Sequence, residues 1–230
     1  MRAISGETAV YGLVGDPVAH SLSPLIHNRW LAEAGLDATY SAFRLRTETA
    51  ATDLRTLARA GVKGLNVTLP HKIAALRAAD SASELAQRIG AANTLAASDE
   101  GWMAHNTDAA GFAALWREGL GDASAQGRRV VLIGAGGAAR AALCWLKDEG
   151  AEIAIVNRTE ANADTLARQL GVAAQTGPLD ALSALAAEAE VVVNSASFGH
   201  AGSAPPDLPA GKRRVLLDMS YGKAADAMLR

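Results

Sequence analysis

The stretch Val130-Val131-Leu132-Ile133-Gly134-Ala135-Gly136-Gly137-Ala138-Ala139-Arg140 decides the fold class of this chain. Four apolar residues in succession suit a strand buried on both faces. The glycines that follow are spaced G-x-G-x-x-A and run straight into a helix-forming segment, the arrangement of a Rossmann-type nucleotide site. Gly134 then permits a tight turn, Gly136 lets backbone approach a pyrophosphate, and Ala139 keeps the helix close to the sheet. The turn through Ala135, Gly137 and Ala138 offers free N–H groups and the positive end of a helix dipole to phosphate. A ligand-free glycine turn has the same local pattern. The strand before it, the helix after it and a second strand at the right distance favour the nucleotide.

That second strand, Ile153-Ala154-Ile155-Val156, ends in Asn157-Arg158-Thr159. A site for NAD usually places a carboxylate there to hold the ribose hydroxyl. A guanidinium and a hydroxyl suit a 2′-phosphate instead, so NADP is the expected cofactor. Arg158 can also lie over the adenine ring.

Outward from this core the pattern continues in both directions. Val191-Val192-Val193 and Val215-Leu216-Leu217 are further apolar strands, each reached through a helical stretch, as in a doubly wound sheet. Gly199 to Gly211, with Pro205, Pro206 and Pro209, reads as a long loop near the ligand. On the other side, Gly121 to Gly127 is a polar linker. Before it, strands at Val10–Val14, Thr39–Leu45, Leu65–Val67 and Thr94–Ala96 alternate with helical patterns at Pro24–Ala34 and Thr49–Ala60. The chain is therefore read as α/β with two domains. An N-terminal α/β domain with a mostly parallel sheet covers 1–106, and a Rossmann-type domain covers 107–219.

Composition narrows the function classes. Among 230 residues, 22 are basic and 24 acidic, with no long run of either sign, which argues against nucleic acid or an anionic membrane as partner. Cys144 is the only cysteine, which excludes an intrachain disulfide, and its apolar surroundings read as core. His20, His27, His71, His105 and His200 lack metal-ligand spacing, so no metal is expected. Trp30, Trp102, Trp116 and Trp145 read as core residues. No apolar run is long enough for a membrane span or a signal segment, and a cytoplasmic protein is expected.

The first half carries polar clusters that a plain core would not want. In His20-Ser21-Leu22-Ser23-Pro24 the alternate serines aim both hydroxyls to one side, a cradle for a carboxylate, although Ser23 alone reads as a helix N-cap. In Asn66-Val67-Thr68-Leu69-Pro70-His71-Lys72 a strand ends and Lys72 starts a helix, where the dipole disfavours a cation unless the amine has a task. Gly90-Ala91-Ala92-Asn93-Thr94 precedes a strand and Asn106-Thr107-Asp108 follows one; Asp108 alone reads as an N-cap. Clusters of this kind at element boundaries suit a cleft between two domains.

These segments, with Asp218-Met219-Ser220-Tyr221, occur in the order found in shikimate dehydrogenases, and over essentially its whole length the chain resembles that family. The resemblance implies an N-terminal substrate-binding domain and reduction of 3-dehydroshikimate to shikimate by NADPH, on the way to chorismate and the aromatic amino acids. By likeness, Ser21, Ser23 and Tyr221 hold the substrate carboxylate. Thr68, Asn93 and Asp108, with Asn66 in support, contact the ring hydroxyls, and Lys72 and Asp108 handle the proton. Gly134 through Ala139, Asn157, Arg158, Thr159 and Met219 contact NADP. The expected protein is a monomer or homodimer that binds small molecules.

The resemblance also has departures. The family commonly has glycine directly after the aspartate, whereas this chain has Ala109 and Ala110 before Gly111. The family commonly continues past the tyrosine with a substrate-contacting glutamine and a helix that returns to the first domain. Here 220–230 would begin that return, with an apolar patch left on the first domain and weaker substrate binding expected. Two other readings stay open: a quinate/shikimate relative that uses NAD, and a non-catalytic metabolite sensor.

Overall fold

The computed structural model describes residues 4–198, 206–208 and 214–220, and the chain divides into two compact units, Met1–Thr107 and Asp108–Arg230. Tyr221 and the expected return of the C-terminal segment lie outside the described residues, as does the loop from Gly199 apart from 206–208.

The first unit runs β1 (Ala9–Gly15), α1 (Ser23–Glu33), β2 (Ala38–Arg44), α2 (Ala50–Arg59), β3 (Gly64–Val67) and α3 (Lys72–Ala78). It continues with β4 (Ser81–Ala82), α4 (Glu84–Ile89), β5 (Thr94–Ser98) and β6 (Gly101–His105). The strands form one six-stranded sheet in the order β2-β1-β3-β5-β6-β4. Strand β1 pairs in parallel with β2 and β3, as the strand–helix alternation implies. The sheet is mostly parallel, as expected, with β5 alone reversed: it runs antiparallel to both β3 and β6. The cause is a tight hairpin: Ser98 pairs with Gly101 around Asp99-Glu100, and Gly101 adopts a φ of 126° that favours glycine. A side chain there would also collide with the Asp80 carboxylate.

Packing against this sheet comes mainly from α2 and α3. Leu54, Leu65, Val67, Ala75, Leu95 and Trp102 share one buried cluster. The Trp102 indole N–H donates to the Leu54 carbonyl at 2.7 Å, so a ring at 0% exposure has its one polar group satisfied. Helix α1 behaves differently and buries none of its residues. Its inner side carries Asn28 and His27, which engage Tyr40 of β2, and Leu31, and Trp30 lies edge-on to the His27 ring, 5.3 Å between centroids. Trp30 is therefore 58% exposed and Leu25 73%, which corrects the expectation that all four tryptophans are core.

The second unit runs α5 (Asp108–Leu120), β7 (Arg129–Ile133), α6 (Gly137–Asp148), β8 (Glu152–Asn157), α7 (Glu160–Leu170) and β9 (Ala174–Pro178). A 3-10 turn at Leu179–Ala181 leads to α8 (Leu182–Glu188), β10 (Val191–Asn194) and β11 (Val215–Asp218). Its five strands, in the order β11-β10-β7-β8-β9, are all parallel. Successive residues of β7 feed opposite faces. Val130 and Leu132 join Phe112, Leu143 and Leu166 in one core, while Val131 and Ile133 join Val156, Leu182 and Val192 in the other. Both faces are thus covered, the condition under which a strand can be uniformly apolar. Cys144 is buried on α6, as expected of a core residue. Strand β9 was not legible: its sequence Ala-Gln-Thr-Gly-Pro lacks an apolar run, and its edge position tolerates the proline.

Candidate functional site

Within the first unit, the polar segments are bound together by hydrogen bonds at one end of the sheet. Ser21 N–H donates to the Val18 carbonyl at 3.0 Å, closing a turn that leads directly into α1. The Ser21 hydroxyl donates to the Ser23 hydroxyl at 3.2 Å, so the two oxygens are adjacent, as their alternate spacing implies. Ser23 is not an N-cap. It is the first residue of α1, with Pro24 next; the N-cap is Leu22, and the Ser23 N–H donates to the Ser21 hydroxyl at 3.2 Å. The Ser23 hydroxyl is consequently not committed to an α1 N–H.

Strand β3 delivers Asn66 and, just beyond its end, Thr68. The Thr68 N–H donates to the Val14 carbonyl at 2.9 Å, and a Cβ on Gly15 would collide with the Thr68 methyl. Gly15 is thus small because Thr68 is there. Lys72 opens α3 directly after His71, whose ring is buried and whose Nε2 lies 2.8 Å from the Leu45 carbonyl. That contact ties the start of α3 to the chain after β2. The Lys72 carbonyl in turn accepts from Ala92 N–H at 2.8 Å, which fastens the Lys72 backbone to the Gly90–Thr94 segment.

Asn93 is the most connected residue of the group. Its carbonyl accepts from Val67 N–H at 2.7 Å. Its side-chain Oδ1 accepts from Thr107 N–H at 2.9 Å, and its Nδ2 donates to the Thr107 hydroxyl at 2.8 Å. Asn106 is buried and donates to the Ala91 carbonyl at 2.9 Å. Backbone bonds thus bring the segments carrying Asn66, Thr68, Lys72 and Asn93 to one end of the sheet, where the Asn93 side chain bonds Thr107 and Asn106 bonds the Ala91 carbonyl. Asp108 follows Thr107 directly and is the first residue of α5, in the second unit.

In the second unit the glycine turn has the geometry its sequence implies. Gly134 has a φ of 108°, and a Cβ added there would lie 2.7 Å from the Ser195 hydroxyl oxygen. Gly136 sits at the N-cap of α6, with no side-chain cap and nothing within 4 Å of the position a Cβ would occupy. The N–H groups at the start of α6 thus face an open cradle, and the residues present fit a dinucleotide pyrophosphate. Ala139, in the first turn of α6, is fully buried, the close packing expected of the third position. Gly134→Ala is expected to destabilise the chain by about 1–3 kcal/mol, because the side chain adds strain at positive φ and a clash with Ser195. Thermal unfolding of the two proteins checks this.

At the end of β8, Asn157 Nδ2 donates to the Thr159 carbonyl at 2.9 Å, bending the chain into α7. Arg158, between them, projects as an exposed side chain at the carboxyl end of the strand. Met219 follows β11, and its N–H donates to the Asn194 carbonyl at 2.9 Å.

Asn194 and Ser195 stand in none of the sequence motifs, and Asp218 stands in one without an assigned role. Asn194 Nδ2 donates to Asp218 Oδ1 at 2.9 Å, and the Ser220 N–H and hydroxyl donate to that same oxygen at 2.9 and 2.7 Å. The Ser195 hydroxyl donates to the Ile133 carbonyl at 2.6 Å. The available signal was a polar residue ending each apolar strand at the edge where Gly134 and Arg158 lie.

Comparison with known proteins agrees with this arrangement. A family profile described as the shikimate dehydrogenase substrate binding domain matches residues 13–95, and one described as shikimate / quinate 5-dehydrogenase matches residues 118–202. The chain is 46% identical over 223 residues to a shikimate dehydrogenase (NADP(+)) of Hyphomonas neptunium, covering 97% of this chain and 82% of the relative. It is 43% identical to a Caulobacter vibrioides protein of the same name, covering 100% and 82%. Among solved structures, shikimate dehydrogenase from Aquifex aeolicus matches with a TM-score of 0.77 and 32% identity over 89% of this chain and 74% of that one. Shikimate 5-dehydrogenase from Thermus thermophilus, solved with NADP(H) and shikimate, matches with a TM-score of 0.68 and 37% identity over 83% and 69%. A substrate-domain profile on the first unit, a dehydrogenase profile on the second, and identity along nearly the whole length place this chain in the shikimate dehydrogenase family.

Proposed function

We propose that this chain catalyses the reversible NADP-dependent interconversion of shikimate and 3-dehydroshikimate, a step toward chorismate and the aromatic amino acids. The observation that carries the reading is the polar assembly of the first unit. Asn66, Thr68, Lys72 and Asn93 are drawn to one end of a sheet in a chain that is 46% identical to a shikimate dehydrogenase (NADP(+)).

In this reading, residues 1–106 bind the substrate and 107–219 the cofactor. Ser21 and Ser23, with Tyr221, receive the carboxylate, while Asn66, Thr68, Asn93 and Asp108 take the ring hydroxyls. The hydride acceptor for the ring carbon, and in the reverse direction the hydride donor, would be supplied by NADP. Lys72 moves the proton: its amine takes the proton of the reacting hydroxyl during oxidation, and its ammonium gives it back to the ketone oxygen during reduction. Asp108 is the carboxylate assigned with Lys72 to the handling of that proton. The turn from Gly134 through Ala139 would receive the pyrophosphate and Arg158 and Thr159 the 2′-phosphate, with Asn157 and Met219 also contacting NADP. No described helix is long and apolar enough to cross a membrane. A cytoplasmic monomer or homodimer working on small molecules is the form proposed.

Steady-state oxidation of shikimate, followed through the absorbance of the reduced nicotinamide with NADP and with NAD, tests the function. Turnover with a clear preference for NADP is expected, and binding of both ligands without turnover would favour the sensor. Arg158→Ala is expected to raise KM for NADP by about 10–100-fold, the worth of a charge-assisted hydrogen bond, with little change for NAD. An equal effect on both cofactors would remove Arg158 from the 2′-phosphate.

A further inference from the structure

Tyr40 belongs to none of the motifs above, yet it lies under two of them. It is 5% exposed on β2, the edge strand of the first sheet, and shares a buried cluster with Leu13 and Val18. Asn66 is two strands away, on β3, paired in register with Leu13 of the intervening β1. The Tyr40 side chain spans β1 and donates its hydroxyl to Asn66 Oδ1 at 2.7 Å.

Three contacts hold Tyr40 where it can do this. Asn28 of α1 clamps its backbone from the open edge, donating to the Tyr40 carbonyl at 2.8 Å and accepting from the Tyr40 N–H at 3.0 Å. The His27 ring stacks on the phenol at 4.2 Å with an interplanar angle of 7°. Burial lowers the His27 pKa below its ordinary value, which keeps the stacked ring neutral near pH 7. Val18, in the same cluster, supplies the carbonyl that closes the Ser21 turn. The phenol therefore rests against the turn carrying the serine pair at one end and bonds Asn66 at the other.

We infer that Tyr40 is a positioning residue for the dehydrogenase reaction, its hydroxyl holding the Asn66 amide with Oδ1 turned into the protein and Nδ2 left to donate to a substrate ring hydroxyl. An amide free to turn over presents an acceptor as readily as a donor, so the site loses discrimination when the phenol oxygen is removed. This rests on the shikimate dehydrogenase reading, and it adds a residue that touches no substrate atom.

Tyr40→Phe isolates the effect, because the ring, its stack on His27 and its packing on Leu13 are retained. In the intact chain the substitution is expected to lower kcat/KM for shikimate about 10-fold, the typical worth of one oriented neutral hydrogen bond. KM for NADP and the thermal midpoint should stay unchanged. In an Asn66→Ala background the same substitution should cost nothing further, since the group it positions is gone. A merely structural tyrosine would give an equal loss in both backgrounds, or a lowered thermal midpoint, and either result would overturn the proposal. So would unchanged kcat/KM in Tyr40→Phe when the unmodified chain turns over shikimate. Absence of shikimate turnover in the unmodified chain overturns the proposed function itself, and this inference with it.

Discussion

Lys72→Ala is expected to lower kcat for shikimate oxidation by about 10²–10⁴-fold, the usual contribution of a positioned general acid–base, while NADP binds with unchanged affinity. The separation follows from where the residues lie. Lys72 starts α3 in the first unit, whereas Gly134, Gly136 and Arg158, the residues proposed to hold the nucleotide, belong to the second. Helix α3 should still form, since alanine is at least as good a helix former as lysine and the dipole at the start of a helix disfavours the cation. Its backbone anchor also survives, because Ala92 donates to the Lys72 carbonyl and not to the side chain. Lys72→Arg should be nearly as inactive, for a guanidinium keeps the charge but does not release a proton at working pH. Single-turnover rates and an NADP titration on the three proteins check both halves. Near-normal turnover in Lys72→Ala would remove that residue from the chemistry.

The largest stability effect is expected at Trp102. Its ring is wholly buried between β6 and α2, and Trp102→Ala should cost about 3–5 kcal/mol, the range for deleting a buried aromatic side chain. The loss has two sources: the cavity left among Leu54, Val67, Ala75 and Leu95, and a Leu54 carbonyl deprived of its indole donor. Trp102→Phe should recover part of the first and none of the second. Urea unfolding at constant m-value measures the difference. A shift below about 1 kcal/mol in Trp102→Ala would mean that the first unit does not depend on this ring.

How far the sequence is legible depends on how local each cause is. The second unit reads well because its strands are buried on both faces, so Val130–Ile133 and Val191–Val193 announce themselves as unbroken apolar runs. The Gly134 turn is legible because its positive φ demands glycine locally, whereas the crowding by Ser195 that reinforces it comes from a distant strand end. Strand β6 was hidden because Gly-Trp-Met-Ala-His reads as a strand only once its hairpin partner β5 is known. The antiparallel turn of the first sheet was lost for the same reason. Trp30 misled because composition ranks a tryptophan as core without saying which side of its helix meets the sheet.

The candidate site divides along similar lines. Ser21 and Ser23, two residues apart, could be paired from spacing alone, and their hydroxyls are in contact. The link from Asn93 to Thr107 spans 14 residues and needs the β5–β6 hairpin to exist first. The Tyr40–Asn66 bond needs three strands in the right order, which no local pattern encodes. Motifs located the individual groups, and the sheet determined which of them meet.

The claim at the centre is that Lys72 exchanges a proton with the substrate hydroxyl that is oxidised. A crystal structure of this chain with shikimate and NADP bound tests it most directly. The expected result is the Lys72 Nζ within about 2.6–3.2 Å of the reacting hydroxyl oxygen, with Asp108 bonded to the same amine or hydroxyl and the serine pair on the carboxylate. Shikimate bound with its reacting carbon toward the nicotinamide, but with Lys72 turned away and another side chain on that hydroxyl, would contradict it.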